Sequence, residues 1–230
     1  MGKPTKDEMM ADFLSVLMQS PLFKGFDAPA VSAILDAQAA FPVSFKKGEV
    51  LLGEGEKTNR FGIVADGFLL IEQNDFWGNR NLVGRIPAGS LFAESFAFSQ
   101  SPLMVRVVAQ EDCVVYWLDH TRFLEPGKLP LTLWRTLVAN LLDVLCSKNI
   151  RFSEKVSHMG QRTTRHKLLS YLSEESRKAK SASFEIPFRR QELADYLGVE
   201  RSAMSACLGK LRDEGLLSFD KRHFLLKEVR

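Results

Sequence analysis

From Leu129 to Gly160 the chain has no internal glycine, and its one proline, Pro130, stands where the first turn of a helix tolerates it. About 30 helical residues at 1.5 Å each would make a rod of ~45 Å, longer than one small domain needs. Leu131, Val138, Leu142, Leu145, Asn149, Phe152, Val156 and Met159 recur at alternating intervals of three and four, with Arg135 as the one charged intrusion. Trp134, Leu137, Leu141 and Val144 form a second stripe on a neighbouring face. Either one stripe packs on an adjoining domain while the other pairs with a second copy, or both are buried within one chain. The first outcome is preferred, because a small domain cannot easily cover both faces. The expected dimer seam is Val138, Leu142, Leu145, Asn149, Phe152 and Val156, with Asn149 fixing register at some cost in stability.

Different textures flank the rod. Asp7 to Ala40 reads as helical, broken at Ser20-Pro21. Between Phe41 and Asp119 come short apolar stretches, FPVSF, EVLL, FGIVADGFLLIEQ, NLVGRI and VRVVAQEDCVVYWLD, with glycines between or beside them. These are strands, and a compact antiparallel barrel or roll closes them. Beyond the rod, Arg165 to Glu175 is helical, RKAKSAS reads as loop, and LLSF, DKR and HFLL read as two strands around a tight turn. The chain is thus α+β, with boundaries expected at 1–128, 129–160 and 161–230.

No apolar run approaches the ~18 residues of a membrane span, and MGKPTKDEMMADF lacks the apolar centre of a secretory signal. A soluble cytoplasmic protein without a membrane partner is expected. Cys113, Cys146 and Cys207 are widely spaced and in apolar surroundings, which excludes a CxxC metal site and predicts buried thiols. The net charge is only +3, but residues 160–230 hold 15 lysines and arginines against 10 acids, while the remainder holds 16 against 18. A basic C-terminal segment on a slightly acidic body suits a polyanionic partner.

Within that segment, RRQELADYLGVERSAMSACLGKL places Leu193, Ala194 and Leu197 on one helix, stops it at Gly198, and starts a second helix near Glu200 to Ser202. This is the helix-turn-helix pattern, with small Ala194 where the helices cross. An ordinary helical hairpin is the alternative, and the adjoining strands and the charge shift weigh against it. The outer face of the second helix holds Arg201, Ser202 and Ser205, with Lys210 and Arg212 flanking. Arg can pair bidentately with guanine, and Ser can bond several base edges in a major groove. Asp220-Lys221-Arg222 would form a basic wing at the phosphates. The expected DNA-contacting set is Arg189, Arg190, Gln191, Arg201, Ser202, Ser205, Lys210, Lys221 and Arg222.

Over nearly its whole length the chain resembles the Crp/Fnr transcription regulators. RQELADYLGVERSAMSACLGKLRDEGLL is similar to that family's winged helix, and EGEKTNRFGIVADGFLLI with PAGSLFAES is similar to its cyclic-nucleotide-binding-type β-roll, of the jelly-roll kind. The resemblance implies a sensor roll, a long dimerisation helix and a winged helix-turn-helix. It further implies a homodimer on a twofold-related DNA site, a signal in the roll that adjusts the recognition helices, and RNA polymerase as a partner where transcription is activated.

Departures qualify the ligand. In nucleotide-binding members an Arg-Ser pair holds the cyclic phosphate and the Glu of a Gly-Glu pair takes the ribose. Here Ala93-Glu94 replaces Gly-Glu, and Leu103 and Met104 stand at the Arg-Ser positions, with Arg85 and Arg106 the neighbouring guanidiniums. A phosphodiester desolvated against Leu and Met lacks a compensating charge, so an uncharged or aromatic effector is expected instead. Its pocket, between roll and central helix, would be lined by Phe92, Ala93, Glu94, Ser95, Phe96, Leu103, Met104, Val105 and Asn149. Alternatively these phenylalanines are core and DNA binding is constitutive. The N-terminus lacks the cysteine cluster of oxygen-sensing members, and His120, His158, His166 and His223 are scattered, so no haem, iron-sulfur or zinc cofactor is expected. In the recognition helix, Ser202 and Ala206 stand where well-known members carry Glu and a second Arg, which leaves base preference open. With no Walker loop, HExxH or GxSxG, an enzyme is not expected. A cyclic-nucleotide-responsive regulator, or a module whose winged helix docks a protein, are the rival readings.

Overall fold

In the computed structural model residues 13–74 and 80–227 are described; the expected helical start at Asp7 lies outside them. Contacts divide the chain into two units, Met1–Cys146 and Ser147–Arg230, a division that falls inside the long helix.

The first unit opens with α1 (13–18), a 3₁₀ turn (Pro21–Phe23) and α2 (Ala28–Ala37), whose N-terminus is capped by Asp27. Eight strands follow: β1 (Phe41–Phe45), β2 (Val50–Leu52), β3 (Arg60–Asp66), β4 (Phe68–Asn74), β5 (Arg80–Pro87), β6 (Leu91–Phe92), β7 (Arg106–Ala109) and β8 (Cys113–Asp119). They form two four-stranded antiparallel sheets, ordered β1-β8-β3-β6 and β2-β7-β4-β5, which is the expected roll. The short helices α3 (Glu94–Ser99) and α4 (His120–Leu124), not foreseen from the sequence, follow β6 and β8.

The two central strands are buried on both faces. Phe61, Ile63 and Ala65 of β3, with Tyr116 and Leu118 of β8, pack against Leu17, Leu22 and Ile34 beneath the helices. Val64, Val115 and Trp117 point the other way, into the roll interior with Leu69 and Val107. Successive side chains alternate across a strand, so covering both faces demands a continuous apolar run, which is how FGIVA and CVVYWL read. Gly67, at φ +74°, is the single residue by which the chain leaves β3 for β4 in the other sheet.

Helix α5 (Leu131–Met159) settles the fate of its two stripes. Leu137, Leu141 and Val144 are buried in the helical core of the first unit, and Trp134 donates from Nε1 to the Phe123 carbonyl at 3.1 Å. Each fully buried side chain of this kind contributes roughly 1.5–3 kcal/mol as an upper bound. Buried Asn140 donates to the Leu22 and Lys24 carbonyls, 2.9 Å each, pinning the helix to the 3₁₀ turn. The other stripe faces out: Leu142 is 56% exposed, Phe152 66% and Val156 52%, with Asn149 also exposed and Val138 and Leu145 half-buried.

The second unit continues with α6 (Thr164–Ala179), β9 (Ser183–Glu185), α7 (Arg190–Leu197), α8 (Arg201–Asp213), β10 (Leu217–Asp220) and β11 (His223–Leu226), the strands ordered β10-β11-β9. Two expectations are corrected here. RKA is the last turn of α6 rather than loop, because Arg177 pairs with Glu174 and Lys178 with Glu154 and Glu175, supporting a polar turn. The cysteines are not uniformly buried: Cys113 is, and burial raises its thiol pKa to about 11, but Cys207 is half-buried and Cys146 exposed. Among the described residues no helix is long and apolar enough to cross a membrane.

Candidate DNA-binding surface and effector site

Helix α7 starts with the Arg189 amide donating to the Glu192 carboxylate at 2.7 Å and ends at Gly198, whose φ of +59° reverses the chain. Leu193, Ala194 and Leu197 are fully buried with Met204, Leu208 and Leu211 of α8, as the spacing predicts. That packing turns Arg201, Ser202, Ser205 and Lys210 outward. Glu200 caps α8: its carboxylate accepts from the amides of Ser202 and Ala203, both at 3.3 Å, and from the Ser202 hydroxyl. Those bonds, the hydroxyl first, hold its pKa below the usual carboxylate range. Lys221 sits exposed in the wing turn at φ +49°, and Arg222 pairs with Glu185 at 2.7 Å.

Arg190 departs from its expected role. Its guanidinium lies over the rings of Phe219, at 4.8 Å, and Phe224, at 5.2 Å, with Nη1 buried and burial lowering its pKa. It packs the wing onto α7 instead of presenting a charge to phosphate. Gln191 is exposed and bonded along its own helix to Asp195 at 2.9 Å.

The end of α5 is clamped onto this reading head. His158 is buried in its last turn, with Nδ1 2.9 Å from the Ser170 hydroxyl and its ring edge-on to Tyr171. Lys155 lies over the Tyr196 ring, and Lys178 reaches Glu154 at 2.7 Å. Burial above all lowers the His158 pKa, which favours the neutral ring.

In the first unit Phe92, Ala93, Phe96 and Leu103 come together in the roll interior. The Phe92 ring meets Trp117 edge-on at 5.3 Å and covers Gly62, where a Cβ would lie 2.4 Å from it. Leu103 is pinned by its backbone, donating to the Glu56 carbonyl at 2.8 Å and accepting from the Gly55 amide at 2.7 Å. Glu94 is buried, Ser95 exposed and Val105 half-buried. Met104 points into solvent at 68% exposure, against the expectation that it lines the pocket: it begins the bend that precedes β7, just past Leu103, whose backbone is held by Gly55 and Glu56. Asn149, grouped with these residues from the sequence, is exposed and belongs to the second unit. A cavity of about 270 Å³ lies elsewhere, between α1, α2 and β8, lined by Leu14, Leu17, Leu35, Ala40, Pro42 and Tyr116 with Ser32 and Asp36.

Models of known families match this chain in series: a cyclic nucleotide-binding domain over residues 42–125 and a Crp-like helix-turn-helix domain over residues 166–230. The chain belongs to the Crp/Fnr family. It is 22% identical over 195 residues to the transcriptional activator protein FnrL of Cereibacter sphaeroides, covering 80% of this chain and 76% of the relative. By fold it is similar to CprK complexed with OCPA, with a TM-score of 0.63 at 16% identity over 84% of this chain and 89% of that one. A CooA mutant from Carboxydothermus hydrogenoformans gives 0.59 at 17% identity over 85% and 86%.

In this Crp/Fnr roll the departures acquire a geometry. Ala93 holds φ +63°, a left-handed conformation that suits the glycine of other members and costs alanine about 1 kcal/mol. Neither neighbouring guanidinium stands ready beside Leu103. Arg106 is paired through Nε, at 2.9 Å, and Nη2, at 2.8 Å, with fully buried Glu72, and Arg85 stacks on the Phe68 ring. The four histidines each bond a hydroxyl or a carbonyl, and among the described residues no three His, Cys, Asp or Glu are grouped to hold a metal. Sequence reasoning missed Glu200 and the His158 clamp. Glu is not among the favoured cap residues, and a buried histidine is recognised only by what folds against it.

Proposed function

We propose that this Crp/Fnr regulator works as a cytoplasmic homodimer that binds an inverted-repeat duplex site and answers to a small effector other than a cyclic nucleotide. The observation that carries the dimer is the outward stripe of α5, Leu142, Asn149, Phe152 and Val156, at the spacing a two-helix seam uses. A symmetric pair brings two α8 faces to successive major grooves, Arg201 toward guanine and Lys221 toward phosphate. An activating role, as in the name of FnrL, would add a contact with RNA polymerase.

Support for a different effector comes from Leu103, which offers a phosphodiester no charge, and from the interior filled by Phe92 and Trp117. The apolar cavity beside Tyr116 has room for a small uncharged or aromatic molecule. Titration calorimetry with cyclic AMP and cyclic GMP should therefore show no micromolar binding; heats fitting two sites per dimer would overturn the effector assignment.

Selection of bound fragments from random DNA tests the reading as a whole, and an inverted repeat is the expected product. Affinity should fall steeply with salt as phosphate counterions are released, which a protein-docking winged helix would not show. Arg201→Ala should relax one base position per half-site at a cost of about 1–3 kcal/mol, whereas Lys221→Ala should weaken all sites alike and lower the salt slope by about one. Selection that returns no repeat would sink it.

A further inference from the structure

The tip of the recognition helix carries an acid and a hydroxyl in a fixed relation. Ser202 donates its one hydroxyl proton to Glu200, whose carboxylate also takes the Ser202 and Ala203 amides. A serine hydroxyl has a single donor and two lone pairs. With the donor spent inside the helix cap, only lone pairs remain on its outer side, and the ionised carboxylate beside it is likewise an acceptor. Both residues are exposed on the face that carries Arg201.

We infer that Glu200 sets base choice by turning Ser202 into an acceptor-only reader, so that each half-site must offer it an exocyclic amino group, the N4 of cytosine or the N6 of adenine. In the major groove these amino groups are the only donors; N7 of purines, O6 of guanine and O4 of thymine are acceptors that a Ser202 so committed repels. Arg201, a pure donor, reads the complementary kind of edge, so the two adjacent residues divide the groove's donor and acceptor pattern. Glu200 acts here as a positioning residue, through Ser202. The inference rests on the DNA-binding reading above and deepens it.

The test begins from the inverted repeat selected by the wild-type protein. Ser202→Ala should erase information at one base position per half-site and leave the rest of the repeat intact. At that position, purine deoxyriboside in place of adenine, or 2-pyrimidinone deoxyriboside in place of cytosine, removes only the amino group. The wild type should lose about tenfold in affinity on that deletion, the worth of one unmade hydrogen bond, while Ser202→Ala loses nothing further. A 7-deazapurine there, which removes only an acceptor, should leave the wild type unaffected. Glu200→Gln keeps a cap for the helix but can aim its amide N–H at the Ser202 oxygen, freeing the hydroxyl proton; it should become indifferent to the missing amino group and sensitive to the 7-deaza change. A repeat whose Ser202 position tolerates amino deletion, or Glu200→Gln with unchanged preferences, would overturn the inference and leave DNA binding standing. Failure to select any repeat would remove both.

Discussion

Phe152→Glu is expected to leave the chain folded and monomeric, and to weaken binding to an inverted repeat by at least about 100-fold, since an unpaired carboxylate buried on association costs several kcal/mol and each 1.4 kcal/mol is tenfold. The symmetry of a two-helix seam places the substituted residue near its own twin, so two like charges are desolvated together. Folding of the single chain is spared because Phe152 is already 66% exposed within it. Sedimentation equilibrium should show loss of the dimer at micromolar protein, far-UV circular dichroism should be unchanged, and titration of the repeat should register the weaker complex. A variant that stays dimeric with wild-type affinity would move the seam away from α5.

The two stripes behind that expectation were legible in the sequence because helical periodicity is a local property: three- and four-residue spacing aligns side chains whatever they later touch. Which stripe turns inward was not local. It is decided by Trp134 reaching the Phe123 carbonyl and by Asn140 reaching Leu22 and Lys24, partners far away along the chain. The winged helix was legible for a similar reason, since Gly198 and Ala194 mark the turn and the crossing within a few residues of each other. Arg190 shows where that reading ends. Its charge suggested phosphate, but Phe219 and Phe224 come back from the wing to lie under it, which composition does not announce. The pocket assignment failed at Met104 because the sequence does not mark the bend that precedes β7. Leu103 and Met104 are equivalent as apolar residues, and what separates them is that the Leu103 backbone is hydrogen-bonded to Gly55 and Glu56 while Met104 begins the bend before β7 and turns to solvent.

Gly67→Val should be strongly destabilising, at roughly 3–5 kcal/mol, combining a left-handed backbone penalty with overpacking. Gly67 holds φ +74°, and a Cβ there would lie 2.7 Å from the Asp112 carbonyl oxygen and 2.9 Å from the Cys113 Cβ. Gly48 provides the control. It holds φ +88° with nothing within 4 Å of its missing Cβ, so Gly48→Val meets the backbone penalty alone, about 1–2 kcal/mol. The difference in urea midpoint between the two variants isolates the steric part, and equal midpoints would mean that the β3–β4 crossing can relax away from the β7–β8 turn. That crossing is what lets FGIVADGFLLIEQ, one apolar stretch in the sequence, supply strands to two different sheets and close the roll. A glycine that merely turns the chain and a glycine on which two sheets meet look alike in a sequence; they differ in what stands opposite, and for Gly67 that is the main chain at Asp112, which cannot swing aside as a flexible side chain would.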